Sequence, residues 1–257
     1  MNDCHPSPLQ PEQLRLLLAG TWTAVLGDSV SRLFYASLLR AASSDPSAAV
    51  GLGHRDFEPA LPHGARASFV WAPFEANLST AVEGWGRDGA PVPDGVVLGS
   101  SLWHMLHVGD AGVRREELQR LRRALVRAGR LEASAVAPHA GWQSEGRRRP
   151  LFFWQSTTAL VSEKLLSEKK RQALTVDRIA QFDSDAAAAL VLPEGPCLPL
   201  DVHGVTSGCG PHCSIDGMHF SNATFDVLIQ QWGAALSFVA AHRSRSAARA
   251  VLTAIHT

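Results

Sequence analysis

Short, unbroken apolar runs alternate along this chain with amphipathic stretches, and this alternation limits the folds that it can adopt. Strands that are buried on both faces of a sheet carry continuous apolar runs, and the helices between them cover those faces. Right-handed crossovers then give an α/β fold, a three-layer α/β/α sandwich with a mostly parallel sheet. The five predicted strands span residues 22–26, 67–71, 95–99, 151–154 and 198–202.

Amphipathic helices are predicted between these strands and after the last one. They span residues 30–42, 77–85, 114–130, 162–190 as one helix or two, and 221–242. In the arginine-rich helix, Leu118, Leu121 and Leu125 share one face. Its seven arginines, from Arg114 to Arg130, are therefore expected on the solvated side of the helix rather than in a binding patch.

Composition and charge narrow the class of protein further. The chain has 257 residues, of which 46% are hydrophobic and 19% charged. These globular values favour one domain over residues 1–257, with 1–18 and 243–257 peripheral. Lys+Arg and Asp+Glu balance at 24 each, so charge gives no reason to expect a nucleic acid partner. A membrane helix needs roughly 18–20 apolar residues and a secretory signal needs an apolar core after basic residues. Neither pattern is found, so a soluble chain is expected.

Cysteines and histidines cluster ahead of the last predicted helix. The chain has four cysteines: Cys4, Cys197, Cys209 and Cys213. Three residues separate Cys209 from Cys213, whereas zinc knuckles usually have two. Three histidines lie close by: His203, His212 and His219. We favour reduced thiols or a loop disulfide over a metal site, and we predict no metal.

Ser29 is a candidate nucleophile because of two residues near the other end of the chain. It follows the first apolar run within Gly27-Asp28-Ser29, where a strand turns into a helix. Reactive groups of parallel sheets collect at this edge. Asp216 and His219 lie three residues apart, so one short turn carries an acid and a base. A serine hydroxyl needs such a base to become a nucleophile.

These three residues predict a covalent acyl mechanism in the order Ser, Asp, His. Ser29 is the nucleophile, His219 the base, and Asp216 holds the imidazole in the right tautomer. Backbone N–H groups at the start of the following helix are available to bind an oxyanion. Ser29 as a plain helix cap and His219 as a surface histidine are each the simpler interpretation alone. Their joint occurrence with Asp216 favours catalysis.

Five segments spread over positions 24 to 232 carry a resemblance to a known family. They are GDSVSRLFY (27–35), FVWAPFEAN (69–77), VVLGSSLW (96–103), FWQ (153–155) and DGMHF (216–220). The chain resembles SGNH, or GDSL-type, hydrolases of the PC-esterase branch, and most of all the luminal domain of sialic acid and capsule polysaccharide O-acetyltransferases. The resemblance implies a flavodoxin-like SGNH fold, the triad Ser29, His219 and Asp216, and a Golgi or secretory lumen. It also implies acetyl transfer to or from a carbohydrate hydroxyl.

The chain departs from the SGNH pattern at the oxyanion hole. The third block usually supplies an asparagine, but here it is Gly99-Ser100-Ser101, so Ser100 or Ser101 is the candidate donor. The glycine of the second block is either Gly51 or Gly53.

Two further residues are candidates for binding substrate. Arg32 lies three residues after Ser29. One interpretation is that it faces the site and binds a substrate carboxylate, and the other is that it is an ordinary surface arginine. Trp103 lies past the third strand, where it stacks on a sugar ring or packs in the core.

Four functions remain open at this stage. The first is an O-acetyltransferase that acts on carbohydrate hydroxyls through an acetyl-serine. It requires an acetyl donor such as acetyl-CoA or an acylated carrier, and no other cofactor. The membrane half that delivers acetyl groups in the resembling transferases is not present, so a membrane acyl carrier is the expected partner. The second is a carbohydrate acetyl esterase, and the third is a silent glycan-binding or scaffolding domain. The fourth is a small metal-binding protein built on the loop that carries the cysteines and histidines.

Overall fold

The computed structural model describes residues 8–43, 53–87, 90–134 and 150–255. These residues contain a five-stranded sheet with the order β2-β1-β3-β4-β5, in which every neighbouring pair is parallel. The strands are β1 (Trp22–Gly27), β2 (Arg66–Trp71), β3 (Gly95–Gly99), β4 (Leu151–Gln155) and β5 (Cys197–Leu200). The predicted parallel α/β architecture is confirmed, and every predicted strand is found.

Helices cover both faces of this sheet. They are α1 (Pro11–Leu18), α2 (Ser29–Ala42), α3 (Glu75–Gly84), α4 (Leu102–His107), α5 (Ala111–Ser134), α6 (Glu168–Ala173), α7 (Val176–Leu190), α8 (Val202–Cys209) and α9 (Asn222–Ile255). The predicted helix or helices over 162–190 are α6 and α7. The last helix continues past its predicted end at residue 242. No helix of the described residues is both long and apolar enough to cross a membrane.

Successive side chains of β4 enter two separate cores. Phe153 packs in the core that contains α2 and α9, together with Phe34 and Trp232. Phe152 and Trp154 pack in the other core, beneath α3, α5 and α7. This alternation is the period-two geometry of a strand that is buried on both faces. It confirms the three-layer arrangement.

The expectation that all arginines of α5 are solvated is wrong for Arg114, which is fully buried. Its guanidinium Nε lies 2.7 Å from Oε1 of Glu75, which is also fully buried, and Nη1 donates to the carbonyl of Phe182 at 2.8 Å. Arg114 precedes Leu118 by one helical turn, so it lies on the apolar stripe rather than opposite it. A buried carboxylate partner explains why a charge is tolerated there.

Candidate active site

Ser29 is held at the point where β1 becomes α2. A side chain in place of Gly27 would collide with the carbonyl oxygen of Gly99 and with Ser31, so the strand must end on glycine. Asp28 then caps the helix, because its Oδ1 accepts a hydrogen bond from the Val30 N–H at 2.9 Å. As a result Ser29 begins α2 at the carboxyl edge of the sheet, nearly buried at 7% exposure.

The Asp-x-x-His segment forms a tight loop before α9. Asp216 Oδ1 accepts hydrogen bonds from the backbone N–H groups of Met218 (3.1 Å) and His219 (2.9 Å). Gly217 has a φ of 92°, and a side chain there would clash with the carbonyl of Val161. The Val161 N–H also donates to the Gly217 carbonyl at 3.0 Å. The loop is therefore fixed against the segment that follows β4.

The structure brings Ser29, His219 and Asp216 into one hydrogen-bonded chain. Ser29 Oγ lies 2.7 Å from His219 Nε2, although the two residues are 190 positions apart. His219 Nδ1 lies 2.9 Å from Asp216 Oδ2. An ionised carboxylate only accepts, so Nδ1 carries the imidazole proton and Nε2 offers its lone pair to the serine hydroxyl. This is the orientation that a general base requires.

Local electrostatics keep Asp216 ionised. Burial alone would raise the pKa of its carboxyl, but hydrogen bonds from the backbone and the imidazole of His219 outweigh burial and lower that pKa. The two carboxylate oxygens of Asp216 have different partners: Oδ1 accepts hydrogen bonds from the loop backbone, and Oδ2 accepts one from the imidazole. The carboxylate thus both shapes the loop and orients the ring.

Asp28 has the opposite electrostatic character. Its side chain is 2% exposed, and burial raises the pKa of its carboxyl to about 6. The hydrogen bond from the Val30 N–H offsets burial only in part. A carboxyl group that titrates near pH 6 therefore lies directly beside Ser29.

The third-block residues Gly99, Ser100 and Ser101 line a small cavity at the start of α2. Ser100 and Ser101 are buried at 5% and 2% exposure. Ser101 Oγ accepts a hydrogen bond from Arg114 at 3.2 Å, whereas Ser100 Oγ has no partner among the described residues. The other residues that line this cavity include Asp28, Ser31, Gln155 and Thr157.

Three other residues were predicted for this site: Arg32, and Gly51 or Gly53 as the glycine of the second block. Arg32 is half-buried, and burial lowers the pKa of its guanidinium. Within the part of the chain that the structure describes, Arg32 makes no hydrogen bond to Ser29, His219 or Asp216. Gly51 lies outside the described residues, and a side chain at Gly53 would meet nothing within 4 Å.

Trp103 is half-buried in a group of aromatic rings, which we call the aromatic cluster. Its members are His54, Trp71, Phe74, Trp103 and His107. Trp71 meets Trp103 edge-on with ring centroids 5.5 Å apart, and His107 stacks on Trp103 at 4.9 Å. Trp71 is the register partner of Gly27, two residues before Ser29. The aromatic cluster therefore lies on the same edge of the sheet as Ser29.

Two groups of described residues place possible metal-ligand atoms within 4.8 Å of one another. The first is Cys209, His212 and Cys213, but the two cysteines form a disulfide, which is one of the two alternatives expected for them, reduced thiols or a loop disulfide. Cys197 is a buried free thiol, and Cys4 lies outside the described residues. The second group is Glu75, His104 and Glu117. Arg114 neutralises Glu75 in that group, which makes it a poor cation site.

Sequence reasoning missed two polar side chains of the site, Ser31 and Gln155. Both lie inside segments that carry the family resemblance, but neither was singled out. Ser31 Oγ lies 2.7 Å from Gln155 Oε1 across 124 positions of sequence. The available signal was a polar residue at the end of an otherwise apolar strand, Leu151–Gln155.

A parallel α/β sheet with serine, histidine and aspartate at its carboxyl edge defines a class of possible hydrolases and acyltransferases. The chain is 30% identical over 239 residues to Protein ALTERED XYLOGLUCAN 9 of Arabidopsis thaliana. The match covers 88% of this chain but 63% of that relative, so the chain spans less than two thirds of its length. This relative fits the resemblance to the PC-esterase branch, although it is matched over less than two thirds of its length. No protein-family model matches the chain.

Two solved proteins are distantly similar in chain path. An alpha/beta hydrolase enzyme from the metagenome of Lake Arreo, Spain, has a TM-score of 0.44 and 16% identity, with 85% of this chain and 96% of that chain covered. A catalytic mutant of an acetylxylan esterase from Geobacillus stearothermophilus has a TM-score of 0.44 and 11% identity, with 83% and 92% covered. Likenesses at this level are too distant to bear on the chemistry of the site.

Proposed function

We propose that this protein is a serine-dependent enzyme that transfers or removes acetyl groups on carbohydrate hydroxyls. The observation that carries the proposal is the hydrogen-bonded chain from Ser29 Oγ through His219 to Asp216. A helix cap or a surface histidine has no need of this arrangement. The similarity to a relative whose name refers to xyloglucan supports carbohydrate as the substrate class.

The first half of the reaction forms an acetyl-serine. Ser29 Oγ attacks the carbonyl carbon of the acetyl donor while His219 Nε2 takes the hydroxyl proton. The carbonyl electron pair moves onto oxygen and gives a tetrahedral oxyanion. When this collapses, the bond to the leaving group breaks, and His219 returns its proton to that group. Asp216 stabilises the imidazolium in between and stays ionised, as its lowered pKa favours.

The second half differs only in the acceptor. His219 deprotonates the incoming hydroxyl, which attacks the acetyl-serine and releases free Ser29. A sugar hydroxyl makes the protein an O-acetyltransferase, with acetyl-CoA or an acylated membrane carrier as the donor. Water makes it an acetyl esterase. Transferase activity is our first proposal, because it follows from the O-acetyltransferase resemblance, and esterase activity is the alternative.

We propose that the aromatic cluster contributes to sugar binding. Trp71, Phe74 and Trp103 are half-buried, and His54 and His107 are exposed, so the cluster presents partly exposed rings at the edge of the sheet where Ser29 lies. Aromatic side chains with one apolar face and one wet face are suited to recognition of partly apolar ligands such as sugar rings. Trp103 is its central member, because it contacts four of the other rings.

Reaction with p-nitrophenyl acetate and with a fluorophosphonate probe tests the nucleophile. The wild type is expected to turn over the ester and to be labelled, and Ser29→Ala is expected to lose both activities. Ser79→Ala is the matched control, because Ser79 is a fully buried helical serine whose hydroxyl bonds only to the backbone of Glu75. Turnover by a folded Ser29→Ala variant at the wild-type rate would refute the proposal.

Incubation with xyloglucan separates transfer from hydrolysis. With an acetyl donor present, a transferase yields acetylated glycan faster than free acetate. An esterase instead releases acetate from acetylated glycan and leaves the unacetylated glycan unchanged. If neither product depends on Ser29, the silent glycan-binding function becomes the better account.

A further inference from the structure

Gln155 is the last residue of β4, and only the oxygen of its buried side-chain amide has a hydrogen-bond partner among the described residues. The side chain is 2% exposed, and its Oε1 accepts a hydrogen bond from Ser31 Oγ at 2.7 Å. Its Nε2 has no hydrogen-bond partner among the described residues. An amide nitrogen carries two donors, and leaving a buried donor unsatisfied costs on the order of 1–3 kcal/mol. With the amide in this orientation, the described residues supply no partner for the donor.

Ser31 determines which end of the amide is free. Its hydroxyl has one proton and two nearby acceptors, Gln155 Oε1 at 2.7 Å and the Gly99 carbonyl at 3.2 Å. The shorter contact is the better hydrogen bond, so the hydroxyl donates to Gln155. Oε1 is therefore held against Ser31, and the NH₂ group is left to face elsewhere.

The position of Gln155 in β4 places its side chain on the face of the sheet that carries α2, in the lining of the cavity at the start of that helix. Side chains alternate along a strand, so Gln155 lies on the same side of the sheet as Phe153 and opposite to Trp154. That side also holds α2 and the loop that carries His219, whose neighbours Met218 and Phe220 belong to the same core. Gln155 and Ser100, which also has an unpartnered donor, line the same small cavity at the start of α2.

We propose that Gln155 is a catalytic residue whose Nε2 group donates a hydrogen bond to the oxyanion formed when Ser29 attacks an acetyl carbonyl. The inference rests on the proposed acyl chemistry. In that step the bond from Ser29 Oγ to the carbonyl carbon forms, the carbonyl electron pair moves to oxygen, and the serine proton goes to His219. Gln155 stabilises the new negative charge and transfers no proton. Its amide thereby supplies, from β4, a donor equivalent to the asparagine that is missing after β3.

A purely structural role accounts for less of what is observed. If Gln155 served only to hold Ser31 at the start of α2, Oε1 would suffice and an unsatisfied buried NH₂ group would bring no benefit. The two roles differ in what they predict for turnover. Removing an oxyanion donor lowers kcat and leaves the KM little changed, whereas loosening α2 lowers the melting temperature and disturbs binding as well.

The test is kinetic and uses p-nitrophenyl acetate. Gln155→Glu keeps the size and the acceptor for Ser31, but it replaces the NH₂ donor with an oxygen. We expect kcat to fall by roughly 10²–10³-fold, the magnitude known for loss of one oxyanion donor, with the KM little changed. Gln155→Met removes the donor without adding a charge, so it decides the question if Gln155→Glu does not fold. Gln230→Glu is the matched control, because Gln230 is a half-buried amide on α9 that pairs with Leu9.

The two proposals fail in different ways. If the wild type shows turnover that depends on Ser29, and folded Gln155→Met and Gln155→Glu keep wild-type kcat, the oxyanion role is refuted while the acyl chemistry stands. If the wild type shows no turnover that depends on Ser29, the proposed function itself is refuted. Loss of kcat in both variants, with Gln230→Glu unaffected, supports the role of Gln155.

Discussion

Two polar regions of the molecule, one closed to solvent and one open to it, use their charged groups differently. Beneath α3 and α5, the side chains of Glu75, His104 and Arg114 have no solvent exposure. At the start of α2, the side chains of His219 and Asp216 keep 25% and 30% exposure. The buried region neutralises its charges internally, so its contribution is to stability. In the open region the base and its acid stay partly exposed, and the unused donors of Ser100 and Gln155 belong to side chains that line a cavity, which suits this region to the proposed chemistry.

The pKa values of the carboxyl groups follow the same division. In the buried region, burial alone would raise the pKa of Glu75, but the hydrogen bond from His104 and the charge of Arg114 outweigh it and lower that pKa. In the open region, burial of Asp28 outweighs its hydrogen bonds and the charge of His219, and it raises the pKa of that carboxyl to about 6. A site that keeps an incompletely compensated buried carboxyl next to the proposed nucleophile loses stability there, as functional sites often do.

The largest expected effect is on catalysis in the open region. Asp216→Asn removes the carboxylate that selects the reactive imidazole tautomer, so kcat with p-nitrophenyl acetate should fall on the order of 10⁴-fold. The free energy of unfolding should change by much less than the activation free energy of turnover does. Asp226→Asn, on the exposed surface of α9, is the control and should keep wild-type kcat. A folded Asp216→Asn variant with wild-type kcat would remove the distinction between the regions.

The next effect is on stability in the buried region. Glu75→Gln leaves the guanidinium of Arg114 buried without its carboxylate, which should lower the free energy of unfolding by about 3–5 kcal/mol. The kcat per folded molecule should stay near wild type. Glu83→Gln breaks a partly exposed pair with Arg120 between the same two helices, and it should cost only about 0–1 kcal/mol. Equal losses in the two variants, measured by urea unfolding, would contradict this assignment.

A smaller effect concerns the pH dependence of stability through Asp28. Its folded pKa of about 6 exceeds the ordinary value of 3.8, so the folded state holds a proton that the unfolded state has released. Stability should therefore fall as the pH rises from about 4 to about 6, by roughly 3 kcal/mol at about 1.4 kcal/mol per pKa unit. Asp28→Asn should lack this component while keeping the helix cap. Urea unfolding of both proteins at pH 4 and pH 7 measures it, and identical pH dependence would refute the shifted pKa.

The smallest expected effect is on the KM for a glycan, and it tests whether the aromatic cluster binds sugar. Trp103→Ala should raise the KM for a glycan acceptor by roughly 3–10-fold, as expected for about 0.5–1.5 kcal/mol from one aromatic contact. Turnover of p-nitrophenyl acetate, which has no sugar ring, should be nearly unchanged and is the internal control. A proportional loss with both substrates would assign Trp103 to packing instead.

The strands and the three catalytic candidates were predictable from local patterns. Apolar runs gave β3 at its observed bounds, Gly95–Gly99, because a strand buried on both faces has no polar side chain to blur its ends. Ser29 and the pair Asp216 and His219 were found because each lies in a short motif at an element boundary. Their meeting at one edge of the sheet was expected from the general rule for strand ends, but the hydrogen-bond distance between Ser29 and His219 came only from the structure.

The residues that were missed depend on the order of strands and helices in space. Gln155 reaches Ser31 because β4 lies next to β3 and β3 lies next to β1, an order that no local pattern contains. Arg114 finds Glu75 because α3 packs against α5. Its position one turn before Leu118 was a usable signal, since that spacing places it on the buried face.

The central claim is that Ser29 carries the acetyl group during turnover. The direct measurement is mass spectrometry of protein that has been mixed with p-nitrophenyl acetate and quenched with acid during the first turnover. We predict a mass gain of one acetyl group on the peptide that contains Ser29, its absence in Ser29→Ala, and its accumulation in Gln155→Met only at a lower rate. Turnover with no acetyl group on Ser29 at any time point, or with the acetyl group on another residue, would contradict the account.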